Sequence, residues 1–274
     1  MICRQAGPVK QPTTSYVRTR NNETMNTYLK NLKKIEFAVT MACTGKCKHC
    51  QNGKSVSPAE HMDAAVAEKA IREVCAHYRI ETVMTFGGEP LLYPDVVGTI
   101  HRTAAALGVD KRQVITNGFF SKEPGRIAAV ARELADSGVN ELLLSVDAFH
   151  QETIPLEPVL LFAECAVNAV IPIRLTPAWL VSPEDQNPYN LRTAEVIRAF
   201  APLPIPVGPG NVIFPSGNAL KYLREYFDED VVPSSPYEEE PKDVRTLSFS
   251  ANGDVLNGNI YQMDILEIIR TYQP

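Results

Sequence analysis

Cys43, Cys47 and Cys50 lie in the run CTGKCKHC, directly after the apolar segment IEFAVT. Three thiolates on one short loop, with three and then two residues between them, can ligate three irons of a cubane iron–sulfur cluster. The fourth iron is left open, and that is where chemistry could occur. The missing fourth cysteine is informative in the way an open position on a catalytic zinc is. The same residues with His49, or with a remote ligand, could instead close a tetrahedral structural zinc site.

A second motif, Gly87-Gly88-Glu89-Pro90, ends another strand-like run, ETVMTF. Glycine suits such a turn because a backbone without Cβ can come close to a ligand. The cysteine spacing resembles the signature of the radical S-adenosylmethionine superfamily, with His49 where an aromatic residue is usual, and GGEP in this order and at this distance resembles the same family. The resemblance implies one 4Fe–4S cluster on Cys43, Cys47 and Cys50, with S-adenosylmethionine chelating the open iron through its amino and carboxylate groups. It also implies that Gly87, Gly88 and the Glu89 side chain surround the cofactor's ammonium.

Other strand ends are similar to the family's less specific motifs. Thr116-Asn117-Gly118 matches a TNG turn, which implies that Asn117 faces the cofactor. Ser145 and Asp147 resemble an S-x-D pair facing the ribose or methionine, with helix capping by Asp147 as the alternative. Arg174, in the apolar run IPIRL, is placed by the resemblance at the cofactor carboxylate, and its alternative is a salt bridge to a helix acid outside the barrel. Phe214-Pro215-Ser216-Gly217-Asn218-Ala219 looks like the family's P-x-GRA segment with Asn218 in place of Arg, so an Arg-dependent role is lost. His150, just past the fourth strand, could act as acid, base or substrate donor; a capping or solvated histidine is its plain reading.

The elements that must position these residues alternate. IEFAVT (35–40) reads as a first strand, followed by the cysteine loop and a helix opened by Ser57-Pro58-Ala59-Glu60, a capping box with proline at the first helical position. Met62, Val66, Ala70, Val74 and Tyr78 recur at helical spacing. ETVMTF, RQVIT, NELLLSV, IPIRLT and NVIF then read as strands, with helices near 94–107, 124–136, 156–170, 190–200 and 217–227. Six alternations predict an α/β chain with a parallel sheet, a partial (β/α)6 TIM-like barrel whose chemistry gathers at the C-terminal strand ends.

After Cys165 the chain has no cysteine. RTLSFSANGDVLNGNIYQMDILEII predicts strand, turn at Asn252-Gly253, strand and closing helix. It resembles a SPASM or twitch extension without its auxiliary-cluster cysteines, Leu256 and Asn257 standing where they would be expected. The organisation expected is a basic, partly disordered arm over 1–34, the barrel over 35–228 and the small hairpin-plus-helix extension over 229–274. The arm holds Arg4, Lys10, Arg18, Arg20, Lys30, Lys33 and Lys34 against Glu23 alone, whereas 225–243 is rich in acids.

With 274 residues, 45% of them hydrophobic, the chain can bury a sizeable core. A formal charge of −5 gives no reason to expect nucleic acid as partner. No stretch reads as a membrane span or secretory signal, so a soluble cytoplasmic protein is expected. Cys3, Cys75 and Cys165 are scattered singly, and Cys75 and Cys165 read as buried reduced thiols. The expected activity is reductive cleavage of S-adenosylmethionine to a 5′-deoxyadenosyl radical that abstracts hydrogen from substrate. Its partners are an external one-electron donor of flavodoxin or ferredoxin type and a peptide or protein side chain; a small-molecule substrate is the alternative. The rival classes are a zinc-stabilised binding barrel without catalysis and an activating or electron-transfer partner of a larger enzyme.

Overall fold

The computed structural model describes residues 25–51, 60–228 and 238–274. The first half of the chain alternates β1 (Lys34–Thr40), α1 (Ala64–His77), β2 (Thr82–Gly87), α2 (Pro94–Ala106), β3 (Lys111–Thr116) and α3 (Pro124–Asp136). It continues with β4 (Glu141–Leu144), the short α4 (Ala148–Gln151), α5 (Leu156–Asn168), β5 (Ile173–Leu175), β6 (Ala178–Trp179), α6 (Pro188–Ala199), β7 (Asn211–Val212) and α7 (Gly217–Tyr222). The last elements are β8 (Thr246–Phe249), β9 (Asp254–Val255), β10 (Gly258–Asn259) and α8 (Ile265–Thr271).

Six strands form one parallel sheet in the order β5-β4-β3-β2-β1-β8. The sheet is open, with β5 and β8 as its edges, which is the partial barrel expected. Its helix-covered face is the main core: Phe37, Val39, Val83, Val114, Leu142 and Leu247 are all fully buried there. Because side chains alternate across a strand, the residues between these belong to the opposite face of the sheet.

The sixth strand is not the one expected. Asn211–Val212 of NVIF leaves the main sheet and pairs with β6 in a two-stranded ribbon. The strand that pairs with β1 is Thr246–Phe249, from the segment that the sequence assigns to a separate extension. The Phe37 and Phe249 rings, paired in register, stack at 4.6 Å with planes 14° apart, a contact worth about 1 kcal/mol beyond its area. Glu239 fixes the entry to this strand by accepting from the backbone N–H of Arg245 and Thr246 and from the Thr246 hydroxyl.

The hairpin of the tail is β9–β10, turning at Leu256 and Asn257. The Tyr261 hydroxyl accepts the Asp63 N–H at 2.8 Å, and the Asn26 amide donates to the carbonyls of Ile269 and Tyr272, so the tail is bound to the barrel at both ends.

Helix α1 begins later than its sequence pattern suggests. Its cap is Asp63, whose carboxylate accepts the Val66 N–H. Met62 precedes the helix, held by a hydrogen bond from its N–H to Val39 O, and is fully buried. The capping box at Ser57, the first 24 residues of the basic arm, Cys3 and much of the acidic stretch lie outside the described residues. Cys75 and Cys165 are free thiols and only half-buried.

Candidate active site

Local hydrogen bonds shape the cysteine loop as it leaves β1. The Thr40 hydroxyl donates to Glu60 O at 2.8 Å and accepts the Ala42 N–H at 3.1 Å, and Cys50 N–H donates to Cys47 O at 3.2 Å. Cys47 is buried in a second apolar cluster with Phe149, Leu180, Ile213, Ala219 and Leu223. Cys43 is exposed at the other end of the loop. Gly45 N–H lies 3.4 Å from its sulfur and Asn117 Nδ2 lies 3.5 Å from it.

The segment after β7 is built onto this loop. Asn218 donates its backbone N–H to Cys50 O at 2.9 Å and its side-chain amide to Cys47 O at 3.1 Å. Gly217 has φ +49°, and a Cβ there would stand 2.1 Å from Gln51 O. Asn218 therefore holds the carbonyls of two of the three cysteine residues. The sequence pattern marked this segment, but the position drew attention for the arginine it lacks, not for the two bonds an asparagine can make.

The GGEP turn packs equally closely. Gly87 ends β2 beside Thr40, and a Cβ on Gly88 would fall 2.1 Å from Ala42 O. Glu89 is fully buried, and its carboxylate faces the protein. Oε1 accepts from Leu91 N–H (2.9 Å) and the Thr116 hydroxyl (2.7 Å), and Oε2 from Asn117 N–H (2.8 Å). Burial outweighs these donors and pushes its pKa up to about 7. Glu89 thus joins the turn after β2 to the turn after β3, and Thr116, the first residue of the TNG motif, is one of its anchors. Asn117 has its own side chain against Cys43 and Thr44, so the structure brings the CTGKCKHC, GGEP and TNG motifs together.

At the end of β4, Ser145 is half-buried and donates its N–H to Thr116 O, beside the same turn. Asp147 points inward: its carboxylate accepts the His150 N–H (3.0 Å), the His150 Nδ1 (2.8 Å) and the Ala178 N–H (3.1 Å). It is fully buried and is the N-cap of α4, the capping role that stood as its alternative. Burial acts against its charge, but His150 beside it prevails and holds the carboxyl down to about 2. For His150 burial is likewise opposed by Asp147, and its pKa is raised. The His150 ring lies 4.9 Å from that of His49, which burial drives down to about 4 and whose Nδ1 has no hydrogen-bond partner among the described residues. Arg174 stands apart from this rim; it reaches Glu141 on the adjacent strand at 3.0 Å rather than a helix acid.

The donor set fits a cubane cluster. Burial and the acids and cysteines around it push the Cys47 thiol up. The Cys43 thiol is also raised, its sulfur being shielded although the residue is exposed overall, against the lowering effect of the Gly45 and Asn117 donors. Iron cations would supply the charge that such thiolates need. N–H donors at the Cys43 sulfur are the kind that tune an iron–sulfur cluster. A single-ion site with the three cysteines fits less well, since the group that converges to within 4.8 Å among the described residues is Cys47, His49 and His150.

Residues 37–162 match the model of the Radical SAM superfamily, and the chain carries a domain of that superfamily. Its members use a 4Fe–4S cluster and S-adenosylmethionine. Among curated relatives, GTP 3',8-cyclase of Moorella thermoacetica is 26% identical over 129 residues, covering 46% of this chain and 38% of the cyclase. The chain therefore spans well under half the length of the curated relatives it matches. Among solved structures, Streptococcus suis SuiB bound to S-adenosylmethionine aligns with a TM-score of 0.55 at 14% identity, over 88% of this chain and 66% of SuiB. Native anSMEcpe with bound AdoMet and Cp18Cys peptide gives 0.55 at 14%, over 88% and 80%. At these identities the likeness is one of fold. No helix among the described residues is long and apolar enough to cross a membrane.

Proposed function

We propose that this protein is a radical S-adenosylmethionine enzyme, with Cys43, Cys47 and Cys50 holding one 4Fe–4S cluster. The observation that carries the reading is the meeting of three strand ends. The Asn117 amide touches Cys43 while its backbone is bound by Glu89 of GGEP. When bound there, the cluster and S-adenosylmethionine supply a reductive cleavage that yields a 5′-deoxyadenosyl radical for hydrogen abstraction.

The protein's own residues hold and orient. Gly87 and Gly88 let the turn after β2 approach the cysteine loop, and their backbone is available to the cofactor's ammonium. Glu89 positions that turn through its three donors and does not reach out itself. Ser145 and Asn117 border the same space, Asn218 steadies the loop from its far side, and Asp147 keeps His150 in place where its imidazole could exchange a proton with substrate.

A cytoplasmic, reducing setting and a flavodoxin- or ferredoxin-type donor suit this chemistry. The tail's resemblance to SPASM extensions favours a peptide or protein side chain as substrate, and the cyclase relatives favour a small molecule. The second reading, a zinc-stabilised barrel, is favoured by the convergence of Cys47, His49 and His150.

The test is anaerobic reconstitution with iron and sulfide, dithionite reduction, addition of S-adenosylmethionine and mass-spectrometric assay for 5′-deoxyadenosine. The control is the triple variant Cys43→Ala, Cys47→Ala, Cys50→Ala. Product that requires the cysteines supports the radical reading, whereas a colourless zinc protein making none would sink it.

A further inference from the structure

The sheet face turned away from the helices carries a pattern that the cofactor motifs do not use. Strand register aligns Ala38, Phe86, Ile115, Leu143 and Arg174 as one row across β1 to β5, and Glu36, Met84, Gln113 and Glu141 as the row beneath. The apolar members of the upper row lie outside both buried apolar clusters, and Phe86 and Ile115 are part-exposed. They form an apolar strip on the inside of the open barrel.

At the end of the strip stands Arg174, its side chain 43% exposed. It is braced from below: Gln113 donates to Glu141 Oε2 at 2.5 Å, and Glu141 Oε1 receives one nitrogen of the guanidinium at 3.0 Å. The Arg174 stem lies 3.6 Å from where a Cβ on Gly208 would be. Among the described residues one carboxylate oxygen engages one corner of a fork with five N–H donors, so most of its donors remain for a ligand. Leu143, paired with Arg174, is two residues below Ser145, so the Arg174 backbone lies about 7 Å under the rim where Asn117 meets Cys43, and the contact with Glu141, lower still on β4, draws the guanidinium away from that rim.

We infer that this inner face seats the substrate, and that the substrate joins an apolar body to an anionic group received by Arg174. The inference rests on the radical reading for the word substrate, not for the binding site itself. A carboxylate suits the fork, and it could belong to the substrate or to the cofactor's methionine moiety; the depth of Arg174 below the rim assigns it to the substrate.

The experiment is titration calorimetry of the full chain with 4-phenylbutanoate and with its neutral counterpart 4-phenylbutan-1-ol, before and after iron–sulfur reconstitution. The acid is expected to bind more tightly than the alcohol. Arg174→Gln should weaken the acid at least tenfold and leave the alcohol unchanged. Arg174→Lys keeps the charge without the fork and should retain the preference for acid at lower affinity, which keeps the test alive if the glutamine variant does not fold. Equal binding of acid and alcohol to the parent protein, or undiminished acid binding in Arg174→Gln, overturns the inference. So does a matching loss of affinity for S-adenosylmethionine in Arg174→Gln, which would move Arg174 to the cofactor carboxylate. Acid-selective binding in a protein that takes up no iron would sink the radical reading alone.

Discussion

Glu89 Oε2 accepts the backbone N–H of Asn117 at 2.8 Å, so the turns after the second and third strands are a single hydrogen-bonded unit. The side chain of the same asparagine reaches Cys43. A change at Glu89 should therefore be felt at a cysteine it does not touch.

Glu89→Gln sets an NH2 against the Asn117 N–H and should destabilise the fold by about 1–3 kcal/mol. In the native state the Glu89 pKa is raised from 4.5 to about 7. Below the lower value the carboxyl is protonated in both states. Between the two the unfolded chain releases the proton more readily, so Glu89's contribution to stability falls as pH rises, then levels off above 7. Urea unfolding from pH 4.5 to 8 should show this slope in the parent protein and not in Glu89→Gln.

Asn218→Ala removes the side-chain donor to Cys47 O and leaves the backbone bond to Cys50 O. The cost in stability should be about 1 kcal/mol. The larger effect should be on the cluster: iron loss to a chelator, followed by visible absorbance, should be several-fold faster than in the parent. Equal rates would show that the loop does not depend on this amide.

Asp147→Asn breaks a buried pair and leaves His150 without its counter-charge, which should cost about 3 kcal/mol. The Asp147 pKa is lowered, so its contribution is present above 3.8 and is lost as pH falls towards 2. The His150 pKa is raised, so its contribution is present below 6.5 and is lost as pH rises through the raised value. The difference in unfolding free energy between parent and variant should be largest near pH 5 and shrink at pH 8.5; a constant difference would show that the two groups do not pair.

His101 on α2 is fully buried, with Nε2 3.0 Å from the Thr85 hydroxyl, and burial lowers its pKa to about 3. The unfolded chain takes up this proton near 6.5 while the native state resists it, so stability is lost as pH falls from 6.5 to 3. A His101→Gln variant should melt with a shallower dependence on pH across that range, read by circular dichroism.

Most of the local structure is legible in the chain's residues. Three cysteines on one loop, glycines where backbones touch, and helices starting at Pro94 and Pro124 are written in residue type and spacing, because those properties act over a few residues. The meeting of CTGKCKHC, GGEP and TNG followed from strand order, since parallel strands deliver their C-terminal ends to one rim.

The packed chain alone decides where two similar short strands pair, NVIF with β6 and TLSF beside β1. NVIF and TLSF both suit a strand, but TLSF brings Phe249 onto Phe37, 212 positions away in the chain, and no local pattern encodes that pairing. It also decided where polar side chains point. Asp147 turned inward to His150 and Ala178, Glu89 to Asn117, and Arg174 to Glu141. A charge taken out of water must find partners, and those partners come from whichever distant segments the packed strands bring within hydrogen-bond reach.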